Sequence, residues 1–128
     1  MNVLDENILP DQRQRLISWA IHVRKIGIEV GRLGMGDEDI VPLLRKLARP
    51  TFFSRDSDFY QPTLRNAGCC LVWLEIAHGQ AAVYVRRLLE HPAFNSEAKR
   101  LGNVIHVSPS GLHYWQFRAS MEQFARWP

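Results

Sequence analysis

The hydrophobic positions of this chain follow two patterns: short uninterrupted apolar runs, and longer segments in which apolar residues recur every three or four positions. The uninterrupted runs lie at 2–4, 69–74 and 104–107 and in the stretch that begins at Thr51. Such runs are typical of strands buried on both faces of a parallel sheet, and 104–107 is predicted to be the last of them. In 26–31 apolar and other residues alternate, which favours one more strand despite two glycines.

Helical spacing of apolar residues predicts helices between these strands. Asp11 is predicted to cap the first helix. A second helix is predicted to begin at Asp37, with its apolar residues on one side. Further helices are expected at 79–89, as a short turn at 95–100, and at 117–127.

The alternation of strands and helices along most of the chain predicts an α/β fold. We expect three layers, α/β/α, with a mostly parallel central sheet. Neither repeats nor linkers divide the sequence, so a single domain spanning residues 1–128 is expected. A domain of this length buries roughly two thirds of its unfolded surface, which is enough for a substantial core.

Acidic residues follow two of the predicted strands. Asp56 and Asp58 come directly after the strand that begins at Thr51, and Asp5 and Glu6 come directly after 2–4. Open α/β sheets bind ligands just beyond the carboxyl ends of their strands. The sequence therefore predicts that these carboxylates, with the neighbouring Asn7, gather in one crevice of the sheet.

The start of the second helix carries three more acids, Asp37, Glu38 and Asp39. Acids in a first helical turn stabilise the helix dipole by about 0.3–1 kcal/mol each, which explains them without any site. They are also candidates to complete the crevice.

A crevice of carboxylates needs a counter-charge, because two like charges ~4 Å apart repel by about 4 kcal/mol at an effective dielectric constant near 20. Oxygen ligands without histidine or cysteine select hard ions, which indicates Mg²⁺ or Mn²⁺. Such an ion supports attack on a phosphodiester, so a metal-dependent nuclease is the leading hypothesis. A phospho-aspartate phosphatase would have Gly and Thr after the second acid, where Phe59 and Tyr60 stand. A phospho-receiver domain would have a lysine after the last strand, where Ser108 and Pro109 stand.

The overall charge permits a polyanionic partner without requiring one, since the net charge is +3 and the isoelectric point is near 9.2. No apolar run approaches the ~18 residues that span a membrane, so no membrane association is expected. The chain starts on a strand-like segment rather than on a signal peptide. Cys69 and Cys70 are adjacent and are expected to be buried thiols, so a cytoplasmic location is predicted.

Three blocks of the sequence together resemble a known family. Residues 3–7 read Val-Leu-Asp-Glu-Asn, residues 36–40 read Gly-Asp-Glu-Asp-Ile, and residues 52–59 read Phe-Phe-Ser-Arg-Asp-Ser-Asp-Phe. In order and spacing they resemble the compact bacterial PIN-like domains, which are relatives of the VapC-type toxin ribonucleases. The blocks cover the first half of the chain, and the second half matches no motif of the family.

The resemblance implies a PIN-like fold and a Mg²⁺- or Mn²⁺-dependent ribonuclease that acts on an RNA substrate. It also implies a toxin that works with an antitoxin protein; the oligomeric state, a homodimer included, is left open. The alternative is a catalytically inert PIN-like scaffold that binds a protein partner or RNA. The implied catalytic and metal-binding residues are Asp5, Asp37, Asp56 and Asp58, with Glu38 and Asp39 as alternatives to Asp37.

The same resemblance marks further candidates around those acids, namely Glu6, Asn7, Ser54 and Arg55. Ser54 stands where the family usually has threonine and keeps the hydroxyl group. Arg55 is the best candidate to pair with the carboxylates. No histidine of the chain has the spacing of a metal ligand, so all five are expected to be structural.

Overall fold

The computed structural model describes all 128 residues of the chain. Its strands are β1 (Asn2–Leu4), β2 (Arg24–Lys25), β3 (Thr51–Ser54), β4 (Cys70–Leu74), β5 (Val104–Ser108), β6 (Gly111–Trp115) and β7 (Gln123–Ala125). Its α-helices are α1 (Pro10–Ser18), α2 (Asp37–Lys46), α3 (Ala81–Glu90) and α4 (Glu97–Arg100). Short 3₁₀ turns occupy Ser57–Phe59, Pro62–Leu64 and His78–Gln80.

All seven strands form one sheet in the order β2-β1-β3-β4-β5-β6-β7. The strands from β2 to β5 are parallel, and β6 and β7 are antiparallel additions at one edge. The predicted α/β class and the mostly parallel sheet are therefore confirmed.

Apolar side chains cover both faces of the sheet, because successive residues of a strand point to opposite sides. On one face, Leu4 and Phe53 belong to a core that includes residues of α1 and α3. On the other face, Val3 and Phe52 belong to a second core that includes residues of α2. Helices thus pack on both faces, which is compatible with a three-layer α/β/α arrangement.

The first helix begins two residues earlier than predicted. Pro10 occupies its first position, where the fixed φ of proline suits a helix and its missing N–H leaves no bond unmade. Leu9 takes the cap position without a side-chain hydrogen bond, so the prediction that Asp11 caps the helix is wrong. The buried Gln12 accepts a hydrogen bond from the backbone N–H of Ala82 at 2.9 Å and so ties α1 to α3.

The second helix begins at Asp37 as predicted and buries Ile40 and Leu44 against the sheet. It presents its first residue at the same end of the sheet as the ends of β1 and β3. The helices predicted at 79–89 and 95–100 are present as α3 and α4, with bounds shifted by one or two residues.

The prediction of a strand over 26–31 is wrong. The edge strand β2 ends at Lys25, and the residues after it turn back so that Ile26 and Val30 share a single bridge. Gly27 and Gly31 have φ angles of +88° and +60°. This left-handed conformation is readily available to glycine and interrupts an extended strand.

The C-terminal region also differs from the prediction. Strand β5 is not the last strand, and the helix predicted at 117–127 does not form. Gly111 instead starts the antiparallel strand β6 with a φ of +147°, and a Cβ there would lie 2.8 Å from the carbonyl oxygen of Ala125 in β7. Leu112 is fully buried in the core, and the indole N–H of Trp127 donates to the carbonyl of Ser108 at 2.8 Å. Strand pairing of β7 with β6 and the hydrogen bond of Trp127 therefore prevail over the local helical pattern of this segment.

Two further expectations concern cysteine and membranes. Cys69 and Cys70 are buried free thiols, and burial raises the pKa of both. No helix of the chain combines the length and the apolar character needed to cross a membrane.

Candidate metal centre

The candidate site lies where β1 and β3 end side by side. These strands are parallel neighbours, with Leu4 opposite Phe53. The chain passes from β1 to β2 on one side and later returns to β3 on the other, which gives the doubly wound order 2-1-3-4-5. In sheets of this order the crevice outside β1 and β3 is the usual ligand position. Asp5 enters it directly, and its N–H donates to the carbonyl of Phe53 at 2.9 Å.

Three carboxylates from two parts of the chain meet in this crevice. Asp37 is the first residue of α2, and Asp56 and Asp58 follow β3. One oxygen from each lies within 4.8 Å of the others, and we call these three residues the acidic cluster. The Asp56 carboxylate also accepts the backbone N–H of Asp58 at 2.9 Å, so the local turn fixes their relative positions.

Asp5 lies behind the cluster and is only 8% exposed. One of its oxygens accepts the Ser54 hydroxyl at 2.7 Å, and the other accepts the backbone N–H of Glu6 at 2.8 Å. Burial raises the pKa of Asp5 although these hydrogen bonds act in the opposite direction; the charges of Glu6 and Asp56 raise it further. Asp5 therefore fixes the loop beside the crevice through its hydrogen bonds, and the negative charge of Asp56 acts on its pKa.

Ser54 holds these elements together. Its hydroxyl donates to Asp5 and accepts the Asn7 side-chain amide at 3.1 Å and the backbone N–H of Asp56 at 3.0 Å. The Asn7 carbonyl oxygen in turn accepts the backbone N–H of Arg55 at 3.1 Å. A hydroxyl has one donor and two acceptor positions, so Ser54 uses all of them. The loops after β1 and β3 are thereby fixed to each other.

The electrostatics of the cluster are dominated by like charge. The pKa of Asp37 is raised by burial first, and then by contact with Asp56 and by the charges of Asp5 and Asp58. None of these four acids forms an ion pair with a lysine, arginine or histidine side chain. The site is thus a group of carboxylates without an internal counter-charge, and a hard divalent cation is the ligand that such a group favours.

The remaining acids of the predicted set lie outside the acidic cluster. Glu6 accepts the backbone N–H of Gly34, and Asp39 pairs with Arg32 at 3.2 Å. Glu38 lies over Gly36 at the start of α2. Of the three acids at this helix start, Asp37 is the one that joins Asp56 and Asp58.

Arg55 does not pair with the carboxylates, so that prediction is wrong. Ser54 faces Asp5, and the next residue along the extended chain points away from that side. The Arg55 guanidinium instead donates to the carbonyl of Ile76 at 3.0 Å and contacts the ring of His78 at 2.7 Å. His78 follows β4 and lies beyond the carboxyl ends of the parallel strands, as the acidic cluster does. Its place just beyond a strand end was the only sequence signal that could have drawn attention to it.

Fold and site together define an α/β protein with a carboxylate crevice at a doubly wound switch point. The chain matches no family model, no curated protein and no solved structure. Its function must therefore be argued from its own residues and from the three sequence blocks.

Proposed function

We propose that this chain is a Mg²⁺- or Mn²⁺-dependent ribonuclease of the PIN-like type, acting as the toxin that an antitoxin protein neutralises. The observation that carries the nuclease proposal is the convergence of Asp37, Asp56 and Asp58 in front of Asp5. The RNA substrate and the toxin role come from the sequence resemblance.

The donor set fits a hard divalent ion. Two oxygens on opposite sides of a Mg²⁺ ion are about 4.2 Å apart, since each Mg–O bond is about 2.1 Å. Oxygens on adjacent corners of the octahedron are about 3 Å apart. The cluster oxygens all lie within 4.8 Å of one another, so one ion between them can reach an oxygen of each residue after small side-chain movements. The neighbouring carboxylates and burial raise the pKa of Asp37, and a divalent ion would offset that repulsion.

The chain's own residues have distinct roles in this proposal. Asp37, Asp56 and Asp58 would hold the ion, which when bound would stabilise negative charge on a phosphodiester. Asp5 positions the Ser54 hydroxyl, and Ser54 positions the backbone N–H of Asp56. Without the ion, burial and the neighbouring Asp56 carboxylate raise the pKa of Asp37.

Thermal unfolding with Mn²⁺ tests the metal site. An ion that binds only the folded state at about a hundred times its Kd stabilises it by about 2.7 kcal/mol, which raises the Tm by several degrees. We expect this rise in the wild type and not in Asp56→Asn. Asp11→Asn is the matched control, because it removes an exposed carboxylate of α1 and should keep the rise. An equal rise in wild type and Asp56→Asn would remove the basis of the proposal.

A catalytically inert scaffold that binds a protein partner or RNA is the second candidate. It is favoured by the engagement of both Asp5 oxygens in hydrogen bonds, which is what a purely structural acid would show. Incubation of the pure protein with single-stranded RNA and Mn²⁺ distinguishes the two functions. Cleavage that disappears in Asp58→Ala, an exposed position, and in Asp5→Ala would exclude the inert scaffold. Metal-dependent stabilisation without cleavage would exclude the nuclease.

A further inference from the structure

A cleft of about 400 Å³ opens beside the acidic cluster. Three acidic side chains line it, those of Asp37, Glu38 and Asp58, so the cleft and the cluster share two residues. Farther along, Val41 of α2 and Leu64 form apolar walls. Gln61, on the far side from α2, adds an exposed side-chain amide.

The wall opposite α2 is the 3₁₀ turn Pro62–Leu64, and it is held from behind. The Arg65 guanidinium donates to the carbonyl of Pro62 at 2.8 Å. It also donates to the carbonyls of Gln116 and Ala119 at 2.6 and 2.8 Å. The segment between β6 and β7 therefore fixes the shape of the cleft.

A second contact from the same segment reinforces this support. The Tyr60 hydroxyl donates to the Glu122 carboxylate at 2.6 Å, just before the turn begins. Tyr60 also packs beside Trp73 of β4, with ring centroids 6.1 Å apart. Both ends of the turn are thus anchored, and the cleft is preformed rather than a gap between loose loops.

The lining selects the chemistry of an occupant. The carboxylates repel a phosphate unless a cation lies between them, whereas the apolar walls favour a flat, uncharged group in the cleft itself. The Gln61 amide and the Thr63 hydroxyl can each donate and accept hydrogen bonds at the rim. A nucleobase has this combination of apolar faces and a polar edge, and unpaired bases are what proteins read in single-stranded RNA.

We propose that this cleft binds one unpaired nucleobase of a nucleic-acid strand whose adjoining phosphate lies at the acidic cluster. The inference rests on the proposed function for the position of the phosphate. The position of the base follows from the cleft itself. Gln61 and Thr63 then determine which base is preferred.

Binding of small probes tests the inference without any cleavage. The four ribonucleoside 5′-monophosphates and ribose 5-phosphate, which lacks the base, are titrated into the wild-type protein with Mg²⁺ and followed by backbone amide NMR. We expect at least one nucleotide to shift the signals of Val41, Thr63 and Leu64. Ribose 5-phosphate should shift only signals near Asp37 and Asp58.

Variants define the cleft more closely. Thr63→Trp places a large side chain at an exposed lining position and should weaken nucleotide binding about tenfold or more, since contacts with a base account for a factor of this size. Gln14→Trp, on the exposed side of α1, is the matched control and should bind as the wild type does. Gln61→Ala should change the order of affinity among the four nucleotides.

The outcomes separate this inference from the proposed function. Nucleotides that leave the cleft signals unmoved, while Mn²⁺ still raises the Tm, would overturn the base site alone. Equal shifts by ribose 5-phosphate, or unchanged affinity in a folded Thr63→Trp, would overturn it too. A third outcome is that nucleotides shift the NMR signals of the cleft residues while Mn²⁺ leaves the Tm unchanged. It would support the base site and refute the metal-dependent nuclease.

Discussion

Replacing Asp37 by asparagine should stabilise the metal-free protein. Asp37 contributes a carboxylate to the acidic cluster and has no cationic partner. Asparagine has the same shape without the charge, so the substitution isolates the electrostatic effect. A gain of stability from removing a surface acid is unusual and follows only if the cluster is repulsive.

The expected magnitude can be worked from the distances. Unit charges 4.8 Å apart repel by about 0.9 kcal/mol in water and by about 3.5 kcal/mol at an effective dielectric constant of 20. Asp37 and Asp58 are exposed, so the lower figure applies, and two neighbours give about 2 kcal/mol. The substitution also removes a favourable interaction of an acid with the helix start, which is about 0.3–1 kcal/mol. Repulsion prevails, and we expect a net gain of about 1 kcal/mol.

Urea unfolding in the presence of a chelator measures this gain directly. Low salt, about 0.01 M, should show the full effect, and about 1 M salt should reduce it, because the Debye length falls from about 30 Å to about 3 Å. A net gain of about 1 kcal/mol corresponds to a Tm higher by about 3–5 °C for a domain of this size. Asp37→Asn should at the same time lose the Mn²⁺ response. Unchanged or lower stability of Asp37→Asn in low salt would refute the repulsive cluster.

The pH dependence of the same comparison provides an internal check. The pKa of Asp37 is raised in the folded state, so the folded state holds its proton to higher pH than the unfolded state does. Stability contributed by the protonated group is therefore present at low pH and is lost as the pH rises from the unfolded value of 3.8 through the raised folded value. The stability difference between wild type and Asp37→Asn should be largest near neutral pH and should shrink as the pH falls toward 3.8.

Three further substitutions test the supports of the site and the fold. Ser54→Ala should lower the free energy of unfolding by about 1–3 kcal/mol, since the buried Asp5 carboxylate loses a donor; urea unfolding measures it. Arg65→Ala should lower it by about 1–2 kcal/mol and speed amide exchange in residues 60–65, since three carbonyls lose a donor. Arg100→Ala should lower the free energy of unfolding by about 2–4 kcal/mol, because the buried guanidinium donates to the Thr51 hydroxyl and to a backbone carbonyl. A smaller loss than that of Arg65→Ala would contradict the expected effect of its burial.

The part of the fold that the sequence predicted is the part that continuous apolar runs define. Phe52 and Phe53 point to opposite faces and are both fully buried, so the run itself indicates a strand between two layers. The same holds for β1, β4 and β5. Helices α2 and α3 were predictable because their buried residues recur at helical spacing.

The elements that were mispredicted are those in which local pattern and tertiary context disagree. Residues 26–31 alternate like a strand, yet Gly27 and Gly31 take left-handed conformations that make a turn. At the C-terminus, residues 117–127 have the composition of a helix. The edge of β5 offers unpaired backbone groups, and β6 and β7 satisfy them by adding strands. No local pattern in residues 117–127 indicates that this edge of the sheet has to be paired.

The candidate site was predictable in its acids and not in its surroundings. Strand ends locate Asp5, Asp56 and Asp58, because parallel strands bring their carboxyl ends to one edge. Asp37 could be proposed but not separated from its two neighbours, since only the rotation of α2 decides which acid faces the crevice. The cleft beside the acidic cluster depends on Arg65 reaching carbonyls about fifty residues away, and no spacing rule predicts such a contact.

The antiparallel extension gives the second half of the chain a physical connection to the crevice. Arg65 and Tyr60 both bind the segment between β6 and β7, and both flank the turn that walls the cleft. Asp58, which the cluster and the cleft share, lies two residues before Tyr60. A perturbation of the extension should therefore alter the cleft more than the cluster, because the cluster is fixed independently by Ser54 and Asp5. The loops after β1 and β3 thus fix the acidic cluster, whereas the segment between β6 and β7 shapes the cleft beside it.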